Sequence, residues 1–308
     1  MWWYVGKRLL QTIPVFLGAT LILFILLKLR PGDPILNLAG NKPVSPEVRD
    51  ALAKQYHLDD PLFVQWIQFV KNAITFNFGN TFSGQPVFDL IKQTFPVTAT
   101  LAFMALVIDA VLGITLGTIA GLKRNGWFDS SVLVVSLLLI SIPIFVVGFV
   151  MQLVFGVKLG WTSPTVGADW SVSKLILPAI VLAIGNFAYT IRLTRTSVAE
   201  NLTADHVRTA RAKGLSGPKV VVNHVLRNSL VPVVTYIGIN LGSLMAGAII
   251  TETIFNVPGV GNAAYLAIAK GETSTVVAFV TFFVILYVMT SLVVDLIYAV
   301  LDPRIRYV

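Results

Sequence analysis

Long apolar runs dominate this chain, with few of the polar breaks that a water-facing surface imposes. Uncharged stretches cover residues 9–27, 130–157, 175–191, 229–251 and 276–294, and another, 94–122, is interrupted only by Asp109. A hydrocarbon layer about 30 Å thick takes roughly 20 helical residues to cross. The pattern therefore predicts six transmembrane helices and an all-α integral membrane fold. Barrel strands would alternate polar and apolar residues over about 10 positions, and these runs do not alternate. The first run follows Lys7 and Arg8, as a secretory leader would. It is longer than a leader's apolar core, however, and Lys28-Leu29-Arg30-Pro31 stands where small residues would mark cleavage. It is read as a retained span.

Composition agrees with this reading. Of 308 residues, 56% are hydrophobic and 12% charged, against roughly 25% charged in soluble domains, and mean hydropathy is +0.80. Too little polar surface remains to cover a water-soluble fold. Without cysteine the chain has no disulfide scaffold, thiolate metal site or cysteine nucleophile. The net charge of +8 is explained by topology and calls for no nucleic acid. Lys7, Arg8, Lys123, Arg124, Arg192, Arg195, the basic residues of 208–227, Arg304 and Arg306 all fall on one side of a six-span arrangement. Basic loops stay cytoplasmic, so both termini are expected inside. Trp2, Trp3, Tyr4, Trp127 and Tyr307 stand at the inner boundaries as interface anchors.

Two connections are long. The outer one, 30–93, is expected to carry structure of its own. It has a turn at Pro31-Gly32-Asp33-Pro34, a helix start at Ser45-Pro46-Glu47, and a stripe of Phe63, Trp66, Ile67, Val70 and Ile74 at helical spacing. That stripe suits packing within the loop, a partner, or the membrane surface. The inner one, 192–228, predicts a short helix capped by Asp205 and ended by Gly214, followed by a second turn at Gly217-Pro218. Such a helix, small on one side and basic on the other, suits insertion into a cleft of another protein; a solvated basic loop near lipid phosphates is the simpler alternative.

Carboxylates within spans are costly, which singles out Asp109 and Asp295. An ion-coupled transporter would use such a pair. Otherwise Asp295 meets Arg304 or backbone groups near the inner end, and Asp109 faces protein or water. Gln152, Asn186 and Asn240 are amides inside spans, candidates for the lining of a wet passage or for bonds between helices. Gly113, Gly117 and Gly121, and Gly238 and Gly242, recur every four residues and allow close helix approach within the chain or to a companion. Pro143 and Pro178 are expected to kink or shorten their helices. The three histidines, His57, His206 and His224, are read as separate polar loop residues. No GxxxxGK[ST] loop occurs, and no nucleophile, base and orienter set is visible, so no catalytic, cofactor-binding or metal-ligating residue is assigned.

TARAKGLSG at 209–217 followed by HVLRNSLVP at 224–232 resembles the cytoplasmic signature of permease subunits in the peptide branch of ATP-binding-cassette importers. Ala210, Gly214 and Leu226 keep the family's spacing. Arg208, Thr209 and Arg227 stand where the general motif has glutamate, alanine and proline, departures that resemble the peptide subgroup. RPGDPILNLAG at 30–40, NFGNTFSGQPV at 77–87, TETIFNVPGVGNAAYLAI at 251–268 and VVDLIYAVLDPRIRYV at 293–308 are similar to the first permease subunit of dipeptide and oligopeptide importers.

The resemblance implies a type I importer permease architecture occupying 1–308 as a single domain in the bacterial plasma membrane. It implies a second, homologous permease, two cytoplasmic ATPases that hold ATP and magnesium, and an extracytoplasmic substrate-binding protein; surrounding lipid is the remaining partner. It makes Ala210, Arg211, Ala212, Lys213, Gly214 and Leu215 the coupling helix seated in an ATPase groove. Pro258, Gly259 and Gly261 become candidates for an outer gate or a binding-protein contact. A permease for nickel, haem or another small solute is the alternative within the family. An ion-coupled secondary transporter is the alternative outside it, and a purely structural anchor fits poorly with prolines and amides inside the spans.

Overall fold

A computed structural model describes residues 2–29, 45–55 and 60–301 of the chain. The turn expected at 31–34, the whole 30–40 motif, His57, Arg304, Arg306 and Tyr307 lie outside the described residues, as do the side chains of Trp2, Trp3, Tyr4 and Asp295. The architecture is helical, with no strand among the described residues beyond an isolated bridge between Asn80 and Pro86. In chain order, α1 is Trp2–Leu29, α2 Pro46–Gln55, α3 Leu62–Ile74, α4 Val87–Leu122 and α5 Trp127–Ser141. Helix α6, Ile144–Met151, continues as a π-helix over Gln152–Lys158; α7 is Val172–Asn201 and α8 Asp205–Ala212. Helix α9, Gly217–Val220, runs through a π-helical turn at Val221–Leu226 into α10, Arg227–Phe255; α11 is Val260–Ala269 and α12 Thr273–Leu301.

Five of the described helices are long and apolar enough to cross a membrane, and the pair α5–α6, bent by 99°, makes a sixth when taken as one span. The bend sits at Pro143, whose φ of −55° and extended ψ make it the residue that opens α6. Without an N–H, and with a ring that would clash inside a helix, it ends one segment and starts the next. Pro178 does not shorten its helix: it lies inside α7, which runs for 30 residues. The fourth span is accordingly longer than its apolar run, because ten further residues, RLTRTSVAEN, continue the same helix.

The chain forms two compact units, Met1–Pro96 with Gly259–Val308, and Val97–Pro258. In the first, α1 packs on α12 and α3, and Val87, Ile91, Val260, Ala264, Ala267, Ala278 and Phe279 make a buried cluster. Helix α2 begins as expected with Pro46 in its first turn, and the Ser45 hydroxyl, followed by the Glu47 amide, holds the Glu47 carboxyl below its usual range. Helix α3 buries Gln65 and Ala73, while Phe63, Ile67 and Ile74 are exposed. Its apolar stripe is thus divided: Phe63, Ile67 and Ile74 face outward, while Trp66 and Val70 are partly buried. Gln65 earns its burial by accepting from Lys28 Nζ and donating to Asp60 O at 2.7 Å.

In the second unit, the glycine ladder of α4 lies against α7. A Cβ added at Gly113 would stand 2.6 Å from Thr190 Cγ2, one at Gly117 2.6 Å from Thr194 Cβ, and one at Gly121 2.8 Å from Val198 Cβ. Both partners advance four residues at each step, so α4 and α7 run parallel. Chain leaving α4 must therefore return to the other side before α7 starts, and the bent α5–α6 pair is the segment that takes it there.

Candidate functional site

The inner connection folds into a small knuckle. Val198 of α7, Val207 and Ala210 of α8, Val220 of α9 and Val225 form a buried cluster with Leu202 and Leu226 packed on it. Val207 and Ala210 stand three residues apart, on one face of α8. The remaining residues from Arg208 to Lys219 are exposed. Arg208, Arg211, Ala212, Lys213 and Leu215 thus form an outward basic surface on an anchored base. Ala210 does not offer close approach to another protein as the sequence implied, because its methyl is spent inside the cluster. Asp205 occupies the first helical position while Ala204 caps, and its side chain lies 3.7 Å from Arg208. Gly214 ends the helix with φ +78°, a conformation glycine adopts without strain, and Leu215 N donates back to Ala210 O at 3.3 Å. Gly217-Pro218 opens α9 and makes no turn, since a proline in the first helical turn is pre-set for it.

His206 and His224 lie in helical segments, not loops, and come together. His206 Nε2 is 3.1 Å from His224 O and 3.0 Å from Asn228 Nδ2. Their neighbours are amide and carbonyl groups, and no metal-ligating cluster occurs among the described residues.

Above the knuckle, Arg195 of α7 is clamped by Asp129 of α5: Nε to Oδ1 at 2.9 Å and Nη2 to Oδ2 at 2.7 Å. Asp129 also accepts from Asn125 N at 2.9 Å. Charges that the sequence shows as two separate loop residues are one fork-to-fork pair. Arg192, one turn earlier, is 5.5 Å from the Tyr189 ring, which stacks on Tyr236 at 4.9 Å. Asp109 is fully buried, as the cost of a carboxylate in lipid demands; it accepts from Thr190 Oγ1 at 2.9 Å.

The span amides divide. Gln152 donates from Nε2 to Pro164 O at 2.8 Å and to Ile254 O at 3.1 Å, tying the π-helix to the 159–171 loop and to α10. Asn186 is half-exposed on α7, and Asn240 is buried on α10 with Nδ2 unpaired among the described residues. Helix α10 ends at Asn256, left-handed at φ +49°, with Val257 N donating to Glu252 O. Pro258 is half-buried, Gly259 precedes α11, and Gly261 is inside it; both glycines are buried. Two acidic residues that sequence reasoning passed over as loop charges are buried. Glu252 accepts from Thr98 Oγ1 at 2.6 Å, and Glu272 accepts from Thr275 Oγ1 at 3.0 Å. Only the apolar flanks of Glu252, AIIT before it and IF shortly after, hinted at its burial. In the first unit a cavity of about 570 Å³, lined by uncharged residues including Asn72, Asn77, Asn80 and Thr281, opens beside α3 and α12.

Two parallel spans joined by a bent pair, polar groups paired inside them, and a basic knuckle at one end belong to a multi-pass membrane protein. Residues 113–307 match the family described as binding-protein-dependent transport system inner membrane component. The chain is 36% identical to the di/tripeptide transport system permease protein DppB of Pseudomonas aeruginosa, over 99% of this chain and 98% of that one. It is 37% identical to the dipeptide transport system permease protein DppB of Bacillus subtilis, over 98% and 97%, and 37% identical to the glutathione transport system permease protein GsiC of Escherichia coli K12, over 99% of each. A crystal structure of an amino acid ABC transporter shares the fold at a TM-score of 0.50 and 14% identity, covering 69% of this chain and 94% of that one. The chain belongs to the family of binding-protein-dependent inner-membrane transport components. It is a permease subunit of a larger transport system, located in the bacterial plasma membrane, and is not in itself an enzyme.

Proposed function

We propose that this chain is one permease half of an ATP-driven importer of small peptides. It works as a single permease domain, with 30–93 outside and 192–228 inside, and with both termini in the cytoplasm. A homologous permease forms the other half, two cytoplasmic ATPases bind ATP and magnesium, and an extracytoplasmic protein delivers the peptide. The observation that carries this reading is the knuckle. Its base is packed against the C-terminal end of α7, so a force applied to its exposed basic face is passed to a membrane-spanning helix and not lost in a flexible loop. Residues 210–215 are the coupling segment, with Arg211 and Lys213 meeting acidic groups at the ATPase surface. ATP binding draws the ATPases together, and the helix moves with its knuckle as a rigid body.

Peptide as the substrate class is supported by the three relatives, whose di- and tripeptide and glutathione systems all carry short peptides. Asn186 and Asn240 are the proposed lining residues, whereas the bonds of Gln152 give it a bracing role. The gate or contact role for Pro258, Gly259 and Gly261 is best carried by their positioning of α11, which exposes Tyr265, Leu266 and Ile268. The test is uptake in a strain lacking its own peptide importers. Arg211→Glu combined with Lys213→Glu should leave the permease folded and inserted while abolishing uptake of labelled di- and tripeptides and releasing the ATPase on purification. Retained uptake with the ATPase still bound would overturn the coupling assignment. Uptake of nickel or haem in place of peptide would overturn the substrate class.

A further inference from the structure

The apolar run of α7 stops at Arg192, and the cation there is unmatched. Among the described residues Arg195 is held by Asp129 and Arg208 lies beside Asp205, whereas Arg192 meets no carboxylate. Asp109 bonds Thr190, two residues before Arg192 and so on the opposite side of α7. The Arg192 guanidinium instead lies 5.5 Å from the centre of the Tyr189 ring, which stacks on Tyr236 at 4.9 Å. Helical side chains lean toward the N-terminus, so Arg192 leans along α7 into the span and not toward the knuckle. A guanidinium laid over an aromatic face still has its planar fork of N–H donors free for a carboxylate. Building on the peptide-importer reading, we propose that Arg192, over the Tyr189–Tyr236 stack, holds the C-terminal carboxylate of a di- or tripeptide in transit.

The surface around the stack suits that cargo. Gly185, Tyr189 and Arg192 are four and three residues apart, on one face of α7, and nothing lies within 4 Å of the Cβ position of Gly185. Tyr189 is 51% exposed, while Tyr236 and Arg192 are half-buried. Ser229 Oγ donates to Ser197 O at 3.1 Å and Tyr236 meets Tyr189, so α10 runs antiparallel to α7. One turn farther into the spans, Asn186 of α7 and Asn240 of α10 therefore reach the same level. Asn186 is half-exposed, and Asn240 Nδ2 is buried without a partner, a donor that a peptide carbonyl can satisfy. The levels of Arg192 and Asn186 are about 9 Å apart along the helix, and two or three extended residues reach about 7–11 Å. Between these ends the rings offer apolar faces that discriminate little among side chains. A lipid phosphate shares the oxyanion chemistry, but its acyl chain would run over Asn186 and Asn240 and satisfy neither amide.

The test uses the whole complex in proteoliposomes with its own binding protein, supplied with trialanine and with trialanine amidated at its C-terminus. Discrimination by the binding protein is common to every variant, so changes in the ratio of free-acid to amide uptake belong to the permease. Arg192→Gln should lower that ratio roughly tenfold, the effect of losing one charge-assisted hydrogen bond. Arg192→Lys, a point charge in place of a fork, should lower it less. Tyr189→Leu removes the platform and leaves the charge; it should also lower the ratio, and it keeps the proposal testable should Arg192→Gln fail to assemble. An unchanged ratio, with uptake of both peptides slowed equally, would give Arg192 to lipid phosphate or to assembly and refute the subsite. Where the amide is not carried at all, a tripeptide with an N-terminal benzophenone decides: it should crosslink at the level of Asn186 and Asn240, and crosslinks centred on Arg192 would refute the orientation. Failure of the native complex to carry any peptide would overturn the importer reading itself, whereas normal import with an unchanged ratio in these variants would sink the subsite alone.

Discussion

Single residues carry much of the packing between spans. At Gly117 the nearest atoms to an added methyl are Thr194 Cβ at 2.6 Å and the Ile191 carbonyl oxygen at 2.7 Å. A side chain can rotate away, but a helix backbone cannot, so Gly117→Ala should push α7 off α4 at a cost of about 1–3 kcal/mol, as in other overpacked interiors. Gly185 has nothing within 4 Å of its Cβ position, and Gly185→Ala should leave thermal stability in detergent unchanged. Equal melting temperatures for the two variants would show that the ladder is not a tight seam. The Asp129–Arg195 pair gives a second case, with Asp129 3% and Arg195 21% exposed. Asp129→Ala strands a partly buried guanidinium and should destabilise by on the order of 3 kcal/mol, whereas Asp129→Ala with Arg195→Leu should recover part of that loss. If thermal shifts of the single and double variants were simply additive, the fork-to-fork bonds would carry no coupling.

Among the elements, the knuckle shows how far local pattern reaches. Gly214, Val207 and the basic face are set by neighbours within a turn or two, so the helix, its end and its exposed charges could be read from residues 205–215 alone. The direction of Ala210 could not, because it depends on Val198, Val220 and Val225, which arrive from three other segments. The same limit applies to Asp129 with Arg195, 66 residues apart, and to Thr98 with Glu252, 154 apart. Spans follow from composition along the chain; pairings between polar groups follow from which helices become neighbours, and no period in the sequence encodes that. The inward Ala210 also changes what its mutants report. Ala210→Leu should cost about 1–3 kcal/mol by overpacking the cluster and lower the yield of folded permease. A normal yield of stable Ala210→Leu protein with normal uptake would mean that the cluster tolerates the bulk and that Ala210 is not a packing-limited position.

At the scale of the whole molecule, the bent α5–α6 pair decides the parity of the chain. Were it a re-entrant hairpin, five crossings would place the termini on opposite sides; as a single bent span it makes six and returns them to the same side. The pairing of α4 with α7 favours the latter. Three successive glycines of α4 meet residues of α7 in the same order along both helices, so the helices point the same way and their C-terminal ends share a side. Asp129, just after α4, holds Arg195 near the end of α7, which fixes that shared level. At the far end, Gly148 of α6 lies under Ile254 and Val181, near the end of α10 and the start of α7. The pair therefore begins at one level and finishes at the other. Reporter fusions at Asn125 and Thr203 should report the cytoplasm, and a fusion at Thr165 the opposite side. With the basic segments held inside, alkaline phosphatase should be active only at Thr165 and a fluorescent protein only at the other two. Activity of the same reporter at Asn125 and Thr165, with the other reporter active at Thr203, would make the bent pair a hairpin, reduce the crossings to five and separate the termini.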